Sequence, residues 1–334
     1  MFLLNPTYIA GVPTPPPGPY DADVVILALD RPAETIAAIH SALGQSGITR
    51  HVFVIDQGSR AAHLTGLADV IAGRPDATLV ALDRNRGVAG GRNAGTALGH
   101  GRIVAALDND AEFATTDTLA RAVAVLDDAP DLAAIACRIV THATGADDLS
   151  SWGYPMSLLP HAGCSFDSTT FVGAGHAIRR AAWEQIGGYD ESLFFCWEEF
   201  DFCLHAIQRG WRIRYCGDLV VRHKVSGEQR VAWSADRWFY FVRNRLYIGR
   251  KFGAGWPALV ARFGGYLVKG LRHGMLRQTL RACAAAICLQ PGCEPRALSP
   301  EARAYLWQND GLHRGGWLTR LRSEVLARLP DGTL

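Results

Sequence analysis

The chain has 334 residues, 49 % apolar and 20 % charged, with a formal net charge of +2 and a mean hydropathy of +0.04. That is ordinary globular composition, long enough to bury a core without staples as one large α/β domain with an appendage or as two domains. So balanced a charge gives no ground for a nucleic-acid partner, and the absence of any long uncharged apolar run excludes a spanning helix of the usual kind.

In chain order, the segment from Pro13 to Pro19 reads as a stiff extended leader, and residues 1–20 are taken together as a proline-rich leader rather than a folded element. Val24 to Leu29 is a short, β-branched, continuous apolar run and predicts a buried strand. Pro32 opens a helix with Ile36, Ile39 and Leu43 at helical spacing. Further strands are expected over His51–Ile55, Ala77–Leu82 and Ile103–Leu107. Strands alternating with helices predict a mostly parallel sheet flanked by helices on both faces. After Trp233 the pattern turns helical and basic, so residues 229–334 are expected as a helical C-terminal subdomain on a catalytic domain of residues 21–228.

In such sheets ligands gather at the carboxyl ends of the strands. Polar clusters fall there: Asp30-Arg31, Asp56 to Ser59, and Asp108-Asn109-Asp110. Two carboxylates two residues apart after a strand can approach one hard cation, although the same triplet is also an ordinary turn. The run Asn85 to Gly95 has glycines that let a backbone pass close to a ligand, with a helix expected to start near Gly91. Its spacing is neither GxGxxG nor GxxxxGK[ST], which excludes the dinucleotide fingerprint and the P-loop. Downstream, Glu198 and Glu199 open a helix beside Trp197. They either complement its dipole or supply a general base at the rim of a pocket. His223 ends a strand, where a neutral imidazole can complete the coordination of a metal.

Taken in order, these segments resemble a family-2 glycosyltransferase of the GT-A fold, of the type that builds bacterial cell-surface glycans, rhamnosyltransferases included. The matches are Asp30-Arg31-Pro32, Ile55 to Ser59, Asn85 to Gly95, Leu107 to Asp110, and Gly188-Tyr189-Asp190-Glu191 leading to Glu198-Glu199 and His223. The resemblance implies an inverting transfer of sugar from a nucleoside-diphosphate donor to the hydroxyl of a glycan or lipid-linked acceptor. It implies a donor site of Asp30, Asp56, Asn85, Arg92 and Asp108, and a Mn²⁺ or Mg²⁺ held by Asp108, Asp110 and His223. Glu199 falls where the family places the catalytic base, with Trp197, Glu198 and His176 on the acceptor side. This chain departs from the usual Glu-Asp pair by carrying Glu198-Glu199, which shifts the basic carboxylate by about one bond length. Trp152, Tyr154 and the segment Gly173 to His176 are further candidates for the acceptor wall.

Two rivals compete. A nucleotidyltransferase needs the same sheet, nucleotide and metal, but is expected to carry a glycine-rich basic loop after its first strand, where this chain has Leu29-Asp30-Arg31-Pro32. A noncatalytic sugar-nucleotide binder within a polysaccharide assembly has no need of Glu199. From Arg212 to Arg281 there are fifteen Lys and Arg against three acidic residues. That block reads either as a peripheral helix on an anionic leaflet, with Trp233, Trp238, Phe239 and Tyr240 at the interface, or as a packed subdomain or dimer contact. The eight cysteines form no CxxC pair, and the first ten residues lack the basic and apolar regions of a secretory signal. The expected location is therefore the cytoplasm, including the inner face of the plasma membrane.

Overall fold

The computed structural model describes residues 6–224, 234–290 and 297–320. Ten strands form one sheet: β1 (Thr7–Gly11), β2 (Tyr20–Ala28), β3 (Arg50–Asp56), β4 (Ala77–Ala81), β5 (Gly101–Leu107), β6 (Ala111–Phe113), β7 (Leu132–Thr141), β8 (Ser165–Ser168), β9 (Gly175–Arg179) and β10 (Arg212–His223). Their order is β1-β4-β3-β2-β5-β9-β7-β10-β6, with β8 also on β10. The pairs β4–β3, β3–β2, β2–β5 and β10–β7 are parallel. Strand β9 runs antiparallel to both β5 and β7, so β2, β3, β4, β5, β7 and β10 all point one way. Their carboxyl ends define one rim.

Helices α1 (Pro32–Leu43), α2 (Ala61–Ile71) and α4 (Thr118–Asp128) cover one face, and α3 (Gly87–Leu98), α5 (Arg180–Ile186) and α6 (Glu198–Gln208) the other. Strand β2 shows why its sequence is continuously apolar: Val24, Ile26 and Ala28 enter the first core while Val25 enters the second. Beyond β10 come α7 (Ala235–Lys251), α8 (Trp256–Arg272), α9 (Leu276–Cys288) and α10 (Pro300–Asn309). Trp238, Val242 and Leu246 of α7 share a small core with Met275, Ala282 and Ala286. The other side of α7 packs Tyr247 and Ile248 against Leu193 and Leu204 of the sheet-bearing part. Helix α10 packs Ala302 among Phe202, Ala206 and Ile207 of α6.

Four expectations need correction. The leader is not structureless: Thr7–Gly11 pairs antiparallel with β4, because this proline-free stretch can donate to the unpaired backbone of the sheet edge. Helix α3 starts at Gly87, not near Gly91, because Asn85 accepts a hydrogen bond from the Gly87 N–H at 2.7 Å and opens the helix early. The segment Gly175-His176 is strand rather than loop. Trp238 is fully buried, its indole N–H donating to Thr279 Oγ1 at 2.8 Å, so it faces no interface. The expected boundary at residue 228, together with Trp233 and Cys293, lies outside the described residues.

Candidate active site

The rim carries the expected polar residues in the spatial order of its strands. Asn85 follows β4, Asp56 ends β3, Asp30 follows β2 and Asp108 follows β5. Asp56 is buried and accepts from the N–H groups of Gly58 and Ser59, which shapes the turn there. Asp30 and Arg31 both adopt left-handed backbone, which bends the chain off β2. Asp30 turns outward, its Oδ1 accepting from the Arg60 N–H at 3.2 Å and lying 2.8 Å from His63 Nδ1. Arg31 turns inward, and its Nη1 reaches Asp110 Oδ2 at 2.5 Å. Of that pair it is therefore Arg31 that enters the site.

Sheet register explains why Asp108, Asp110 and His223 meet. A tight turn, with the Ala111 N–H bonded to the Asp108 carbonyl at 3.1 Å, separates β5 from β6. Strand β6 then pairs with β10 so that Ala111 lies opposite His223. The three residues offer ligand atoms all within 4.8 Å of one another. Arg92 takes Oδ1 of Asp108 at 2.8 Å and Arg31 takes Oδ2 of Asp110, which leaves one oxygen of each carboxylate for a cation. Two hard oxygens and an imidazole suit Mn²⁺ or Mg²⁺, so the donor set fits a divalent cation.

Behind His223 lies a residue the sequence reading missed. Asp148 is 3 % exposed and its Oδ2 is 2.9 Å from His223 Nδ1, while His223 Nε2 is 3.3 Å from Asp110 Oδ1. Ser150 and Ser151 donate their hydroxyls to Asp148. Burial alone lowers the imidazole pKa, but the hydrogen bonds with Asp110 and Asp148 outweigh it and hold it at about 10. Without a cation the ring is thus an imidazolium between two carboxylates. Loss of the Nε2 proton would leave that nitrogen able to ligate a cation, with Asp148 holding the ring's orientation through Nδ1. No spacing rule links Asp148 to His223; only the pairing of β7 with β10 brings them together.

The second half of the site is the glutamate pair at the start of α6. Glu198 is 2 % exposed. Burial first, then the Glu199 charge, pushes the Glu198 carboxyl far above the usual carboxylate range. Burial raises Glu199 as well, opposed by nearby Arg92 and by a hydrogen bond from Glu198. Both carboxyls are thus held above the usual carboxylate range, Glu198 the further of the two. A Cβ on Gly173 would lie 2.5 Å from Glu199 Oε1, so glycine there leaves room for that carboxyl.

Arg92 joins the two halves. It is 2 % exposed and donates through Nη2 to both Asp108 Oδ1 and the Gly173 carbonyl, each at 2.8 Å. It lies beneath the surface, its Nε and Nη1 lacking a hydrogen-bond partner among the described residues. His176 also lies below: it is buried, stacked on Phe171 at 4.3 Å and 3.0 Å from the Tyr189 hydroxyl. Trp152 and Tyr154 belong to an aromatic cluster with Tyr215.

The chain entering α6 is strained, with Phe194, Cys196 and Trp197 all at positive φ. Helix α7 holds it. Fully buried Asn244 donates from Nδ2 to the carbonyls of Leu193, Phe195 and Cys196 at 2.9, 2.8 and 2.8 Å. Arg243 donates to the carbonyls of Ser192 and Leu193, and the Trp197 indole N–H returns a bond to the Phe241 carbonyl at 3.0 Å. Lys251 bridges Asp190 and Asp201 at 2.9 and 2.8 Å. From the other side, the Val88 N–H grips the Phe194 carbonyl at 2.7 Å.

The family model described as Glycosyl transferase family 2 matches residues 23–187. These residues form a family-2 glycosyltransferase domain. Over 109 residues, 32 % of its length, this chain is 39 % identical to the succinoglycan biosynthesis protein ExoO of Rhizobium meliloti (strain 1021). The match spans 28 % of that protein's length. Among solved structures, the chain resembles the mannosyltransferase PcManGT from Pyrobaculum calidifontis in complex with GDP-Man and Mn²⁺ (TM-score 0.56, 19 % identity, 94 % of this chain and 87 % of that one). It also resembles GalNAc-T7 with UDP, GalNAc and Mn²⁺ (TM-score 0.60, 14 % identity, 92 % and 58 %). At such identities these likenesses speak to the fold, which is GT-A. No helix among the described residues is long and apolar enough to cross a membrane.

Proposed function

We propose that the transferase moves a sugar from a nucleoside-diphosphate donor to an acceptor hydroxyl with inversion, in a cation-dependent single displacement. The observation that carries this reading is the meeting of Asp108, Asp110 and His223 on one side of Arg92 with the buried Glu198–Glu199 pair on the other. The nucleotide lies along the rim past Asp56 and Asn85, and its diphosphate points toward Asp108 and Asp110. Asp108, Asp110 and His223 would hold a divalent cation, which would supply positive charge against that developing on the leaving diphosphate. Arg31, beside Asp110, adds fixed positive charge at that end.

Glu199 accepts the proton of the acceptor hydroxyl as its oxygen bonds to the anomeric carbon. The bond from that carbon to the diphosphate oxygen breaks on the opposite face, so configuration inverts. Glu198 keeps its proton and orients Glu199 through the hydrogen bond between them. Only one carboxylate does proton chemistry, unlike the pair a glycosidase employs. The match to a succinoglycan biosynthesis protein supports a glycan or lipid-linked glycan as acceptor, in surface polysaccharide synthesis.

The test is a panel of uridine, guanosine and thymidine diphosphate sugars, with Mn²⁺ or Mg²⁺ and with chelator, reading released nucleoside diphosphate and the anomeric configuration of the product. Cation-dependent release with an inverted product is expected. Binding of a donor without release in any condition would leave a noncatalytic binder, and a retained configuration would remove the single displacement.

A further inference from the structure

We infer that the hairpin of α8 and α9 is a docking surface for an anionic lipid leaflet. Of fourteen exposed large apolar side chains among the described residues, seven are on these two helices: Trp256, Val260, Val268, Leu271, Leu276, Leu280 and Ile287. Scattered singly such residues mean little, but a contiguous set marks an interaction surface. Helix α8 buries only Leu259 and Gly270, while Trp256, Val260 and Leu271 stand 71 %, 63 % and 64 % exposed. Its apolar arc is wider than the strip its neighbours cover.

In α9 the buried positions are Thr279, Ala282 and Ala286, and Leu276, Leu280 and Ile287 form a separate stripe. At about 100° per residue, each stripe lies roughly a quarter-turn from its helix's buried line, in the same rotational sense. The short link His273 to Met275 folds α9 back on α8, so the two stripes open on one side of the hairpin.

Charge selects the occupant. From Arg237 to Cys293 the sequence contains no Asp or Glu, and at about 100° per residue Arg272 and Arg277 stand beside the stripes. A second copy of the chain docking through this face would set two basic rims against each other. An anionic leaflet complements both the apolar stripe and its rim, the combination that holds an amphipathic helix in a bilayer interface. Through α7, which shares a core with α9 and grips the loop before Glu198, the docked face is mechanically continuous with the acceptor side of the site.

The experiment is flotation of the full chain with vesicles of phosphatidylcholine alone or with about one-quarter phosphatidylglycerol, at low and high salt. The protein is expected to float with the anionic vesicles, less so at high salt. The triple variant Trp256→Ser/Val260→Ser/Leu271→Ser and the pair Arg272→Glu/Arg277→Glu are each expected to reduce the floated fraction about tenfold. Both variants should retain the wild-type circular dichroism and donor turnover in solution, which separates failure of docking from failure of the transferase reading. Wild-type protein that stays at the bottom with anionic vesicles overturns the inference, as does a triple variant that floats like wild type. Light scattering that shows a dimer dispersed by the triple variant also overturns it, assigning the face to a second copy.

Discussion

The two halves of the active site are built by different means. The proposed cation side draws Asp108, Asp110 and His223 from the ends of β5 and β10 and the turn into β6, where hydrogen-bonded register fixes each side chain to its neighbour. The base side rests on a loop with three residues in left-handed conformation, held in place by a helix some fifty residues further along the chain. One half is positioned by the sheet itself and the other by side chains that must be made and packed later. The cation side should therefore tolerate damage to α7, while the base side should not.

Substitutions can break this contrast, beginning with the strongest. Glu199→Gln should lower kcat by about a thousandfold while leaving donor and Mn²⁺ binding intact by calorimetry, since only proton acceptance is removed. The same measurement against pH sharpens the point. Burial raises Glu199, and the carboxylate is the active form, so the acidic limb of the wild-type rate should lie above the usual carboxylate range. An equal loss of donor binding in the variant would show that the halves are not separable.

Asn244→Ala should come next, lowering kcat by about a hundredfold with little change in the affinity for Mn²⁺, because misplacing a base by about an ångström has that scale of effect. Asn244→Asp, which keeps the shape but loses the amide donors, should not restore it. Its readout is kcat against KM, with thermal melting to confirm the fold. Asp148→Ala is the mirror image: Mn²⁺ affinity should weaken by about ten- to a hundredfold as His223 loses its orientation. Saturating Mn²⁺ should recover most of the rate. The smallest effect is expected of Gly173→Ala, which forces only the flexible end of Glu199 to move. About a tenfold fall in kcat without a change in melting temperature is expected.

Much of the cation side was legible in the sequence, because a carboxylate pair after a strand and a histidine ending another follow from the geometry of α/β sheets. The alternation of apolar runs likewise located β2 to β5. What escaped depends on contacts between distant segments. Asp148 sits after β7 in a stretch with no periodic signal, and only strand pairing reveals its bond to His223. The glycine-rich run pointed to the region of Arg92, but not to its burial under the site. Asn244 lies among aromatic and basic residues that suggest an interface helix, and nothing local marks it as the clamp on a loop around residue 195. The membrane expectation illustrates the same limit: composition indicated the C-terminal helices, yet Trp238 faces inward, and exposure shifts the apolar surface to α8 and α9.

The clamp by Asn244 also has a meaning in time. A ribosome releases this chain from its amino end, so the sheet, its rim and the cation ligands are complete once His223 has emerged. The strained residues before Glu198 have by then been made, but the carboxamide that holds them has not. On the proposed reading, every cation ligand is therefore synthesised before the residue that fixes the base.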